Sequence, residues 1–349
     1  MRRRIQHLMP AFMISLFLSQ NINSQEFQDV GKYMEYISSA NEQLSATYLS
    51  YLSAVAHNSA RKAEKRRQDV VNAISDTRFK IQGMPPWKGD RSYRDTTVAY
   101  LKIVNSVFNE DYAKIVNMEE IAEQSYDAME AYMLAQEKAT EKLQEAALRQ
   151  HQMQTNFAGK YNVTVINTET SVDQKSKVAS ALMKHYDEVY LIFFKTYKQE
   201  GYLIEAVNKK NLIAIEENNN AMKKFAEDGL QKLKSLNGYN NDPSLIVACR
   251  QVQVFYKSEA DQTQTITDFL LKEENFGKLK KNFDTRPAAK RTPSDIEAYN
   301  NAVKDFNAAV NQYNKTNQAI NKDRQSAINN WNDAVRKYLD NYMPVQRKQ

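Results

Sequence analysis

The sequence predicts an all-α protein: an elongated antiparallel bundle of about five long helices with coiled-coil packing. Three observations carry this. Eight Gly and seven Pro occur among 349 residues, about 4% together against a usual share near 12%. Neither residue occurs in 32–82, 90–158, 160–200 or 294–343, and unpunctuated runs rich in Ala, Glu, Lys, Gln and Leu favour helix. Within those runs apolar residues recur at alternating three- and four-residue steps, the spacing of one helix face. A run of about 50 residues would be roughly 75 Å long as a helix, so a rod is expected.

The first helix carries Tyr33, Ile37, Ala40, Leu44, Tyr48 and Tyr51 on one stripe. Its phase slips before Val70, Ile74 and Ile81, which predicts a local change in supercoil. A Gly/Pro-rich turn spans Gly83 to Gly89. Ser92 and Asp95 have capping-box spacing and open the second helix, with Leu101, Val104, Phe108, Ile115, Met118, Ala122, Met129, Tyr132, Ala139 and Leu143 on its stripe. Residues 161–167 are β-prone and read as an extended crossover. Ser171 and Gln174 open the third helix, whose stripe includes Ala179, Leu182, Tyr186, Val189 and Phe193, with Gly201 as the place for a bend. Asp242-Pro243 and Thr292-Pro293 each set a capping oxygen before a proline suited to the first helical position. They open a helix over 244–282 and a last one whose seam is close to heptad. That seam runs Ile296, Tyr299, Val303, Phe306, Val310, Tyr313, Asn317, Ile320, Arg324, Ala327, Trp331, Val335, Tyr338 and Tyr342. Asn317 and Arg324 interrupt it. Polar seam residues fix register or partner choice and are compatible with a homo-oligomer.

Charge and composition narrow the function. The formal charge is +6, from 48 basic and 42 acidic residues. Arg2, Arg3 and Arg4 account for half of it, and the remaining charges are of mixed sign, as on a solvated helix surface rather than a nucleic-acid footprint. Mean hydropathy is −0.69. Apolar residues make up 42%, enough for a core and too many for a disordered chain. The three arginines, the apolar stretch Ala11–Leu18 and the polar end at Asn23-Ser24 have the order of a secretory signal. The expected division is therefore a signal peptide at 1–24 and one helical domain at 25–349. No later segment is apolar enough to cross a bilayer. The lone Cys249 lies on a helical stripe with Leu245, Val252 and Tyr256 and reads as a buried, inert thiol.

No nucleophile elbow, phosphate-binding glycine loop or metal motif occurs, so neither an enzyme nor a cofactor is expected. His185 and Glu188 share a helix face, but a di-iron bundle needs two Glu-x-x-His pairs. The basic run Arg61 to Arg67 reads as a solvated face or as a contact for anionic lipid, lipopolysaccharide or glycan. The most distinctive loop gathers Trp87, Arg91, Tyr93 and Arg94. There a tryptophan among cations could stack on and hydrogen-bond an anionic or carbohydrate ligand, or Trp87 could cap the core in a rigid turn.

Met84-Pro85-Pro86-Trp87-Lys88-Gly89-Asp90, Asn109-Glu110-Asp111-Tyr112 and the run Ile115 to Tyr132 resemble a family of exported bacterial surface proteins of Bacteroidetes and of spirochaetes such as Leptospira. The resemblance is best over about 35–145. It implies an export address and carries no functional residues. The expected function is that of a non-enzymatic, exported protein of the cell surface or periplasm, acting through helix faces or loop tips on an envelope protein or glycan. The alternative is a periplasmic carrier holding a small or lipid-like ligand in an apolar inter-helix groove of several hundred Å³.

Overall fold

A computed structural model describes residue 27 and residues 29–56, 60–115, 122–165 and 171–344. The expected signal segment at 1–24 lies outside these, as do His57 and the stretch 116–121. The chain is all-α. Eight α-helices occur among the described residues: α1 (Val30–Ala56), α2 (Ala60–Gln82), α3 (Ser92–Ser106), α4 (Tyr126–Lys160), α5 (Ser171–Asn208), α6 (Leu212–Ser235), α7 (Ser244–Thr285) and α8 (Pro293–Tyr342). No described helix is long and apolar enough to cross a membrane.

The helix count exceeds the expected five because single runs are divided by means other than Gly or Pro. The third run continues through Gly201 as helix and reverses at Lys209–Asn211 instead. There Lys210 takes a left-handed backbone, φ 53°, and the Asn211 side chain accepts from the Ala214 amide at 3.2 Å to open α6. Ser125 caps α4 in the same way through the Ala128 amide. The cap expected from Ser92 is supplied by Asp90, whose Oδ1 accepts from the Ser92 amide at 2.8 Å. Asp242 does the same for Ser244 at the start of α7. Thr292 and Asp295 form a reciprocal capping box at α8, with Pro293 in the first turn. Residues 161–165 contain a turn and no strand.

Two core clusters organise the chain. One is built from α1 to α4 around Ile37, Ile74, Leu101, Phe108 and Phe157. The other is built from α5 to α8 around Leu182, Val189, Val252, Tyr256, Ile320 and Trp331. Leu52 and Tyr132 pack against both, so the clusters are continuous through α1 and α4. In α6 the close approach of neighbours needs Gly229, since a Cβ there would stand 3.0 Å from Ile192 and 3.3 Å from Gln253. Facing it, Thr196 donates to the Gln253 side-chain oxygen at 2.8 Å, so the buried amide is satisfied.

After α3 the helix widens into one π turn, Val107–Asp111. The inserted residue disturbs the α ladder, and the Phe108 carbonyl accepts instead from Arg67 Nη1 at 2.7 Å. Arg67 is 5% exposed and is also paired with Glu64 at 2.8 Å. The last residue of the basic run is therefore turned inward, while Lys62, Lys65 and Arg66 are exposed.

Candidate functional site

The α7–α8 pair differs from the rest of the molecule beyond its middle. The last buried residue of α7 is Leu270 and the first of α8 is Thr316. Between residues 271 and 315, all of them described, none is buried. These residues form a two-helix arm. The α8 portion, 293–315, is about 34 Å long.

A ladder of aromatic rings holds the arm together. Phe269 stacks on Tyr313 with centroids 4.3 Å apart, Phe276 on Phe306 at 4.6 Å, and Phe283 on Tyr299 at 4.2 Å. Each helix contributes a ring every seventh residue, and the two series run in opposite directions. Ring planes lie within 10° to 21° of parallel. Such pairs add roughly 0.5–1.5 kcal/mol each beyond their area burial, which lets two helices hold together with no third layer. Arg291 closes the tip, its guanidinium 4.3 Å from the Phe283 ring centroid. Its Nε donates to the Arg286 carbonyl at 3.0 Å.

Below the arm root lies a charged clasp. Arg324 of α8 pairs with Glu200 of α5 and Glu259 of α7. Both carboxylates are 4% exposed at the side chain. Two acids thus share one guanidinium in the core. Burial pushes the Glu259 carboxyl up to about 8, reinforced by Glu200 and opposed by Arg324. The Tyr256 hydroxyl next to them is raised well above its ordinary value by burial, then by Glu200 and Glu259. The seam interruption at Arg324 is therefore a cross-link that ties α7 and α8 to α5. The other interruption, Asn317, is half-buried and accepts from Asn321 at 3.4 Å.

At the other end of α8, Tyr338 donates its hydroxyl to His185 Nδ1 at 2.8 Å, and His185 Nε2 donates to the Asn237 carbonyl at 3.0 Å. This assigns the Nε2-protonated tautomer. Tyr342 donates to Asp242 at 2.9 Å. A groove of about 360 Å³ beside them is lined by Asp242, Ser244, Asn330, Asp333, Lys337 and Asn341 among others. Its lining is mixed, with Ala334 and Tyr338 beside the polar side chains. Among the described residues no three His, Cys, Asp or Glu side chains converge as a metal site.

The loop singled out in the sequence is a tight turn at the end of the first core cluster. Trp87 and Asp90 exchange backbone hydrogen bonds at 3.0 and 2.9 Å. Trp87 is half-buried, 5.9 Å from the Tyr33 ring. Tyr93 is fully buried against Phe157 at 5.5 Å, so its ring is not presented to a ligand. Arg94 donates to the Met84 carbonyl at 2.7 Å and pairs with Asp95. Arg91 alone of the four is exposed. Lys160 and Tyr161 reach Asp90 at 2.6 and 3.1 Å. The Lys160 bond, with the Ser92 amide, holds that carboxyl well below the usual range. The four residues do not converge on a common ligand position.

Cys249 is buried and unpaired, its thiol pushed up to about 12 by burial. The arm's ladder and the clasp were not read from the sequence, although Phe269, Phe276 and Phe283 repeat at seven and match Tyr299, Phe306 and Tyr313. No protein-family model matches this chain, and no curated protein or solved structure matches it either.

Proposed function

We propose that this protein is a non-enzymatic, exported component of the cell envelope or surface that binds a partner through the α7–α8 arm. The observation that carries the reading is the arm itself: 45 consecutive residues with none buried, braced by their own ring ladder. A globular domain has no packing reason to extend two helices past its core, because the extension gains little burial per residue ordered. An arm of this kind exposes helix faces and a tip for docking. The heptad spacing of its rings supports an antiparallel coiled coil. Arg324 bonds Glu200 and Glu259, and Tyr338 bonds His185, across helix joins, which supports structural roles for both. The order of charged, apolar and polar segments before residue 25 supports export.

The test is fractionation with surface-protease accessibility, followed by crosslinking in intact cells. It compares the full chain with a variant in which 272–312 is replaced by a short Gly-Ser turn. The expected result is an exported protein whose crosslinked partner is lost on arm deletion while body helicity is kept. Retention in the cytoplasm, or crosslinking undiminished by the deletion, would overturn the reading.

A further inference from the structure

The net charge of the chain is not spread evenly. Residues 278–295, which form the tip, contain six basic residues, Lys278, Lys280, Lys281, Arg286, Lys290 and Arg291, against Asp284 and Asp295. The tip is thus +4. Outside Arg2, Arg3 and Arg4 the whole chain carries 45 basic and 42 acidic residues, so everything apart from the tip carries 39 against 40. The end of the arm is therefore one of two local excesses of positive charge; the other is Arg61–Arg67, with five basic residues against Glu64.

Part of that charge is matched locally. Lys280 pairs with Asp284 at 2.5 Å and Arg286 with Asp295 at 2.5 Å, while Lys278 reaches back to Glu274 at 2.5 Å. Lys281 and Lys290 are exposed with no carboxylate matched to them in these pairs. Between the cations the turn exposes only Pro287, Ala288 and Ala289. The tip is two helices wide, and its exposed side chains mix the cations with Asn282, Asp284, Thr285, Thr292 and Ser294. A laterally mobile field of anionic phosphates adapts to such a tip without shape complementarity.

We propose that the arm tip docks on a membrane surface rich in anionic phospholipid headgroups, through Lys281 and Lys290 together with the other tip cations. This rests on the reading of the arm as the binding element and names its partner. Each Lys or Arg close to an anionic leaflet contributes roughly five-fold in partitioning. The attraction falls off over a Debye length of about 8–10 Å, so charges beyond the arm root, about 34 Å from the tip, add little when the arm stands on end.

The test is co-sedimentation of the full chain with vesicles of 40 mol% phosphatidylglycerol in phosphatidylcholine, with pure phosphatidylcholine vesicles as reference. The chain is expected to bind the anionic vesicles and not the neutral ones. K281E/K290E, which takes the tip from +4 to zero, should reduce binding at least 100-fold. K232E/K234E makes the same charge change on exposed α6 positions and should leave binding within about three-fold. Equal losses in both variants, or no binding to anionic vesicles, would overturn the proposal. So would selective binding to immobilised polyglutamate, which would assign the tip to an acidic protein. Inorganic phosphate should displace the chain no better than chloride at matched ionic strength, and stronger displacement would indicate a discrete phosphate site in place of a membrane surface. If vesicle binding fails while arm deletion still abolishes cellular crosslinking, only the lipid assignment falls.

Discussion

Glu259→Gln isolates the energetics of the clasp. Burial raises the Glu259 carboxyl from 4.5 to about 8, so the folded chain holds a proton there that the unfolded chain releases. The folded value lies above the unfolded one. The contribution is therefore fully present below about pH 4.5 and is lost as pH rises through about 8. At 1.36 kcal/mol per pH unit the loss across that window reaches at most about 5 kcal/mol. For a chain of this size that is on the order of 10 °C in melting temperature. Glutamine keeps the shape and an acceptor for Arg324 but cannot ionise. Thermal melts of both proteins at intervals from pH 5 to pH 9 should nearly converge at pH 5, diverge steadily between pH 5 and pH 8 and level off above, with the variant the more stable at pH 9. Half-buried Asp187, pushed up to about 7 by burial, adds a slope of the same sign to both proteins. The difference between the curves, rather than the wild-type slope, is the measure of the clasp. Parallel curves across the whole range would refute the assignment of that proton to Glu259.

Three further outcomes follow from particular contacts. Arg67→Met leaves the Phe108 carbonyl unpaired beside the π turn and should cost about 2–3 kcal/mol in urea titrations, whereas exposed Arg66→Met should stay within about 0.5 kcal/mol. Phe276→Ala removes the middle rung of the ladder, so hydrogen exchange should accelerate between 272 and 312 while α5 and α6 keep their protection. A uniform loss across the chain would show that the arm is not a separate unit. Cys249 should react with maleimide at pH 8 only on unfolding, and labelling of the native chain within minutes would contradict its burial.

The helical class was legible because it rests on local chemistry. Long runs without Gly or Pro became helices, and Thr292-Pro293 became the capping box of α8. The seam of the last helix was legible for the same reason. From Tyr299 to Tyr342 each seam residue is half-buried or buried, and Ile296 is exposed. The reversal at Lys209–Asn211 was not legible, since its left-handed residue is a lysine and its only local signal is the cap at Asn211. Nor was the arm, because a heptad stripe reads alike whether two helices or four cover it. Burial depends on which neighbours reach that far, and the α5–α6 turn reaches only the arm root, where Lys210 pairs with Glu273 at 2.6 Å. The clasp was half legible: Arg324 stood out as a polar seam residue, but its partners lie 124 and 65 residues away. The weight given to Trp87, Tyr93 and Arg94 came from composition. Packing at the end of the first core cluster explains those side chains.

The arm also behaves as a lever. Its α8 portion is about 34 Å from root to tip, so a tilt of only about 5° at the root carries the tip about 3 Å. The fulcrum lies near Leu270 and Thr316, and Arg324 grips α8 two helical turns further down. Displacements too small to disturb the packing of the body are magnified at the far end, where the loop meets whatever stands opposite it.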